Sequence, residues 1–207
     1  VDQGIDTAFG ITGGGAMFLN EAFRKQKKLN FVFTHHEQSA AMAAEAYYRI
    51  KKKPAILSVT SGPGGTNAIT GVIGSWIDSV PMIIISGQVE TKDMIGKSGT
   101  RQIGIQEANI IDLIKPITKY SKTLSKFSDI KYEINKAIKI STSDRPGPVW
   151  LDIPLDVQSQ KFTNSKKKNF FISKSNYYKK INFDKIYKLI KNANRPVFLI
   201  GNGIHIS

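Results

Sequence analysis

Glu37 is the carboxylate whose position in this sequence most suggests chemistry. It follows the apolar run 30–34 and heads a stretch of small residues, Ser39-Ala40-Ala41-Met42-Ala43-Ala44-Glu45-Ala46. A carboxylate at the head of so closely packing a helix can be buried at an interface, where its proton affinity rises toward the range useful for proton transfer. A structural role competes with this. Thr34-His35-His36-Glu37 fits the capping box, in which a glutamate reaches back to an unpaired amide at the helix start. On the residues alone the capping role is favoured.

Two glycine-rich turns could also meet a ligand. Gly13-Gly14-Gly15 follows an apolar run and would let the backbone turn tightly and approach a ligand closely. Ser61-Gly62-Pro63-Gly64-Gly65-Thr66-Asn67 also stands between a strand pattern and a helix pattern. It has neither the Gly-Lys-Ser/Thr of a phosphate loop nor the third glycine of the dinucleotide fingerprint. A turn that presents backbone groups and Asn67 to a flat or polar ligand fits it better. The three histidines have no metal-ligand spacing and no serine partner, and with no cysteine thiolate chemistry is excluded.

The elements that must position these residues are legible from periodicity. Short runs rich in Ile, Val or Phe predict strands at 7–11, 30–34, 55–60, 82–86 and 149–153. Helices are expected at 16–25, 37–49, 66–78, 107–113 and 129–141. In the last, Ile130, Ile134, Ala137, Ile138 and Ser141 share one face. Strands alternating with helices imply an α/β fold, a parallel sheet flanked by helices on both faces. Near-continuous apolar strands such as Met82-Ile83-Ile84-Ile85 agree, because a strand covered on both sides loses polar alternation.

The 207 residues, 41% hydrophobic, suffice for one α/β domain and part of a second. We expect a first domain over 1–157, a polar linker over 158–182, and the beginning of a central Rossmann-like domain over 183–207. There a helix at 184–191 would precede a strand at 195–203 ending in a glycine turn. The chain opens on Val1 and stops within that turn, so a fragment is expected. The net charge of +14 comes from scattered lysines with short runs at 51–53 and 166–168. No nucleic-acid-binding signature accompanies them, so the charge reads as solvated surface with no nucleic-acid partner. No apolar run approaches a membrane span and no signal peptide opens the chain, so a cytoplasmic location is expected.

The order of the motifs is more specific than any one of them. Phe9-Gly10-Ile11-Thr12-Gly13-Gly14-Gly15 is followed by His36-Glu37-Gln38 and Ala44-Glu45-Ala46-Tyr47, then by Thr60 and the second glycine turn. After these come Asp78-Ser79-Val80-Pro81, Ser86-Gly87-Gln88-Val89, Arg145-Pro146-Gly147-Pro148-Val149 and Asp152-Ile153-Pro154. From residue 7 to about 157 this resembles the N-terminal, pyrimidine-binding domain of thiamine-diphosphate enzymes of the acetolactate synthase and pyruvate oxidase group.

The resemblance implies a cofactor, thiamine diphosphate, that must lose the proton on its thiazolium carbon before attacking a 2-keto acid. It implies that Glu37 is the glutamate bonded to the aminopyrimidine ring and that Gly13, Pro63, Asn67 and Gln88 line the pyrimidine pocket. Gln106, in Gly104-Ile105-Gln106-Glu107, would face the reacting carbon. The implied reaction decarboxylates pyruvate and passes the two-carbon unit to a carbonyl acceptor. Alternatives are a related thiamine enzyme of surface-polysaccharide biosynthesis acting on a keto sugar, and a non-catalytic assembly subunit of the same fold.

Mg²⁺ and the diphosphate would be held by a further domain, so these residues contribute no metal ligand and are expected to be inactive alone. FAD is compatible with the central domain. A homodimer or homotetramer is implied, with the alanine-rich helix at its interface. Two departures from the family pattern stand out. Thr12 occupies a usual proline position. The stretch 94–107 is longer than in biosynthetic acetolactate synthases and has Ile105 where they carry an aromatic residue.

Overall fold

The computed structural model describes residues 1–125, 129–161 and 181–205. Six strands, β1 (Thr7–Gly10), β2 (Asn30–Phe33), β3 (Ile56–Val59), β4 (Ile83–Gln88), β5 (Tyr120–Thr123) and β6 (Val149–Pro154), form one sheet in the order β2-β1-β3-β4-β6-β5. Every pairing is parallel, as the apolar strand runs predict. Burial follows position in the sheet. All residues of the inner strands β4 and β6 are buried, whereas the edge strands β2 and β5 are partly open.

Alternate side chains of each inner strand enter opposite cores. Met82, Ile84 and Trp150 join Leu57 and Val59 beneath α2 (Glu37–Lys51) and α4 (Ile69–Ile77). Ile83, Ile85, Val149, Leu151 and Ile153 form the other core, with α1 (Met17–Lys25) and α6 (Ile130–Thr142) packed on it. Fully burying an aliphatic side chain contributes about 1.5–3 kcal/mol, so these two layers fix the sheet that carries the loops. The small residues Ala40, Ala41 and Ala44 of α2 are spent inside the domain, where Ala41 lies against Gly71 of α4.

The structure corrects several expected boundaries. The helix expected at 66–78 is broken at Ala68 into α3 (Pro63–Asn67) and α4, because Pro63 starts a helical turn directly after Gly62. The helix expected at 107–113 starts at α5 (Ile110–Ile114), capped by Asn109, which leaves Glu107 outside it. A three-residue 3-10 turn at Gly14–Ala16 precedes α1. Strand β5 carries no apolar run. Its Lys122 instead pairs at 2.6 Å with buried Glu133 of α6, whose second oxygen accepts from the Tyr120 hydroxyl.

A short helix, α7 (Leu155–Gln158), follows β6. The chain divides into two compact units, Val1–Phe170 and Phe171–Ser207. Most of the expected linker, 162–180, lies outside the described residues, as does the lysine run at 166–168. In the second unit α8 (Phe183–Asn192) forms as expected, capped by Asn182. No strand is present over 195–201, since a strand requires a neighbour to take its backbone hydrogen bonds, and Asn202–His205 forms a 3-10 turn. Among the described residues no helix is long and apolar enough to cross a membrane.

Candidate functional site

The sheet order places the candidate residues together. From β1 the chain moves outward to β2, then returns past β1 to β3. Connections leaving β1 and β3 therefore diverge, and a crevice opens outside their carboxyl ends, where open α/β sheets take ligands. The Gly13-Gly14-Gly15 turn follows β1, Glu37 follows β2, and the 61–67 turn follows β3. The first and third touch directly, as the Gly15 N–H donates to Oγ1 of Thr60 at 3.1 Å.

The capping box expected around Glu37 does not form. His36 is the cap, its Nδ1 accepting from the Gln38 N–H at 3.1 Å, and the Thr34 hydroxyl donates to the His36 carbonyl at 3.0 Å. Glu37 is thereby released from capping. It is only 9% exposed, and its Oε2 accepts from Nδ2 of Asn67 at 3.0 Å. Among the described residues its Oε1 accepts no hydrogen bond. Gly64 leaves room beside that oxygen, since a Cβ there would stand 3.4 Å from Oε1 and 2.6 Å from Cγ2 of Thr60.

The other expected residues divide. Pro63 is exposed at the first position of α3, on the same turn as Asn67. Gln106 is exposed with a φ of +59°, and its carbonyl lies where a Cβ on Gly62 would stand, 1.9 Å away; Gly62 itself has a φ of +52°. The 61–67 turn therefore supports Gln106 at one end and Glu37 at the other. Gln88, also expected along the pocket wall, makes its hydrogen bonds inside the fold. It is 1% exposed, its Nε2 donates to the Ala108 carbonyl at 3.0 Å and to Asp152 at 3.2 Å, and its Oε1 accepts from the Val89 N–H. Its amide is thus engaged within the fold.

Sequence reasoning missed the group that holds Gln88. Asp152 also accepts from Ser86 at 2.6 Å and from Thr123 at 3.3 Å, and Ser86 accepts from the Trp150 indole. Burial pushes the Asp152 carboxyl up to about 6, against the hydrogen bonds from Ser86, Gln88 and Thr123, which favour its charged form. The Asp152-Ile153-Pro154 motif was the available signal.

Two other motifs precede strands and so lie at the opposite edge of the sheet. There Arg145 donates to the Ser79 hydroxyl at 2.6 Å and to the Ile77 carbonyl at 3.3 Å, closing the end of α4. A cleft of about 280 Å³ lined by Asn20, Phe23, Phe31 and Phe33 contains neither Glu37, Asn67 nor Gln106. That cleft adjoins the first glycine turn through Thr12 and through Asn20, whose Nδ2 donates to the Gly13 carbonyl at 3.5 Å.

Residues 1–111 match the family model described as thiamine pyrophosphate enzyme, N-terminal TPP binding domain. The chain belongs to that family. The matched span contains both glycine turns, Glu37, Gln88 and Gln106. Among curated proteins the chain is similar to the acetolactate synthase large subunits of Buchnera aphidicola (from Acyrthosiphon pisum) and Haemophilus influenzae, at 35% and 33% identity over 99% and 98% of its length. It is also similar to the mitochondrial acetolactate synthase catalytic subunit of Saccharomyces cerevisiae, 34% identical over 98% of the chain. It spans 36%, 35% and 30% of those three proteins, in the same order.

Proposed function

We propose that this chain supplies the pyrimidine-binding half of a thiamine-diphosphate-dependent carboligase of the acetolactate synthase type. The observation that carries the reading is Glu37, buried at the sheet's crevice, held by Asn67 through one oxygen and unpaired at the other. That donor set fits an aminopyrimidine ring, which needs one carboxylate oxygen at a ring nitrogen and backbone or small residues alongside. Gly13, Gly64, Pro63 and Asn67 would form the wall.

Thiamine diphosphate supplies an electron sink that lets a 2-keto acid lose carbon dioxide. Glu37 would take up or release a proton at the bound ring through Oε1, the oxygen that the bond from Asn67 to Oε2 leaves open. The glycine turns would let the backbone lie close to the ring. Gln106, held by Gly62, presents its amide at the crevice rim toward the keto acid.

Among the described residues no three His, Cys, Asp or Glu side chains come together to hold a metal ion. The diphosphate with its Mg²⁺, and any FAD, would be held by other parts of the full-length enzyme, and the residues above contribute the pyrimidine side alone. Pairing of subunits as a homodimer or homotetramer suits Met42 of α2 and Ile73, Trp76 and Ile77 of α4, which are exposed apolar side chains on adjoining helices. The names of the acetolactate synthases above favour pyruvate as donor and a second 2-keto acid as acceptor over a keto sugar. Product analysis of the full-length enzyme with pyruvate and thiamine diphosphate tests this. Acetolactate is expected, and pyruvate consumption without it would overturn the carboligase reading.

A further inference from the structure

Glu107 has a role that neither the glycine turns nor Glu37 accounts for. It lies outside α5, and its side chain turns back on the preceding loop. Oε1 accepts from the Ile95 N–H in a short hydrogen bond, and Oε2 accepts from the Ile103 N–H at 3.4 Å. One carboxylate thus grips the two ends of the 95–103 segment. The backbone closes the same loop, with the Gly104 N–H on the Asp93 carbonyl at 2.8 Å and the Glu107 N–H on the Gly104 carbonyl at 3.2 Å. On the far side, Gln88 holds the Ala108 carbonyl and is itself held by Asp152.

Between these two fastenings sits Gln106, in a left-handed conformation that a residue with a Cβ adopts only when its surroundings impose it. Among the described residues its side chain makes no hydrogen bond that would fix it directly. Its placement therefore comes from its neighbours. Ile103, 50% exposed, is one gripped end, and Ile105, 88% exposed, follows it directly before Gln106. The closed base of the loop thus carries two exposed apolar side chains and one amide.

We infer that Glu107 is a positioning residue, which clamps the 94–106 loop so that Gln106 and Ile105 are presented to the acceptor carbonyl compound. The loop's task, though not the clamp itself, rests on the carboligase reading above. A carboxylate is required because both partners are N–H donors. A glutamine offers one acceptor oxygen and turns its NH₂ toward the other donor.

The loop contains Lys97 and Arg101, both exposed, so trypsin reports on the clamp independently of the cofactor. The full-length enzyme and its Glu107→Ala and Glu107→Gln variants are compared for cleavage at these two sites. Loss of charge-assisted hydrogen bonds is expected to accelerate cleavage on the order of tenfold for Glu107→Ala, with Glu107→Gln between it and the parent. In the same variants KM for the acceptor keto acid rises while thiamine diphosphate affinity stays at the parent value. Unchanged cleavage at Lys97 and Arg101 in both variants overturns the clamp. Equal loss of cofactor affinity and acceptor KM overturns the positioning role, because it signals general damage. If Glu107→Ala does not fold, Glu107→Gln alone decides. Faster cleavage together with a fully active Glu37→Gln variant would retain the clamp and reject the thiamine reading of the crevice.

Discussion

Asn67 donates through Nδ2 to Oε2 of Glu37 across 3.0 Å, joining the turn after β3 to the first residue of α2. The bond spans two connections that leave the sheet on either side of β1, and it selects which carboxylate oxygen remains open. Replacing Asn67 with Asp sets a second carboxylate against Glu37. The donor to Oε2 is lost and two like charges face each other, so turnover of the full-length enzyme is expected to fall about tenfold. Turnover equal to the parent's would show that the Asn67 contact has no bearing on Glu37.

Gly64 admits no side chain without moving something. A Cβ there meets Thr60 Cγ2 at 2.6 Å and Glu37 Oε1 at 3.4 Å. Gly64→Ala is expected to weaken thiamine diphosphate binding about tenfold, equivalent to roughly 1.4 kcal/mol, with a smaller effect on unfolding. Titration of the cofactor against intrinsic fluorescence measures it, and parental affinity would place the ring away from Gly64.

Thr60 supplies the oxygen that ties the two glycine turns together. Thr60→Val keeps the shape and removes the acceptor, leaving the Gly15 N–H without its partner. A loss of about 1–2 kcal/mol in urea unfolding is expected, and no loss would mean that the turn relaxes to satisfy that amide elsewhere.

Asp152 makes stability depend on pH in the direction opposite to a salt-bridged acid. Burial raises its carboxyl from 3.8 to about 6 in the folded chain, so the fold binds the proton more tightly than the unfolded chain does. Its favourable contribution is complete below about pH 4 and is lost as pH rises through 6, a change on the order of 3 kcal/mol. Asp152→Asn cannot titrate, so the difference in unfolding free energy between parent and variant should change across that window and be flat outside it. A difference that stays constant from pH 4 to 7 would contradict the buried acid.

Five of the six strands, and α1, α2, α4, α5 and α6 with shifted ends, are readable because their burial is written in apolar runs and helical spacing. β5 is not, since Tyr120, Ser121, Lys122 and Thr123 form an edge strand whose partner for Lys122, Glu133, lies on a helix. The break at Ala68 was hidden because Pro63 and the glycines look like turn residues until Gly62 sets the start of α3. At the crevice, Glu37 and the two glycine turns were visible as types at the ends of strands. The spacing Thr34-His35-His36-Glu37 suggested a cap by Thr34, yet the imidazole of His36 takes that role and frees the carboxylate. For Gln88, the family resemblance implies an amide lining the pyrimidine pocket. Only the position of Asp152 on the neighbouring strand, paired with Ser86 in register, shows what it holds.

The most direct measurement is the turnover of Glu37→Gln in the full-length enzyme, alongside its affinity for thiamine diphosphate and its unfolding midpoint. Removing a carboxylate that moves a proton at the pyrimidine ring should lower turnover about 10²–10⁴-fold, while folding is kept and the cofactor still binds. Turnover within twofold of the parent would contradict the assignment of the crevice, and with it the proposal that Glu37 is the proton-handling group of this site.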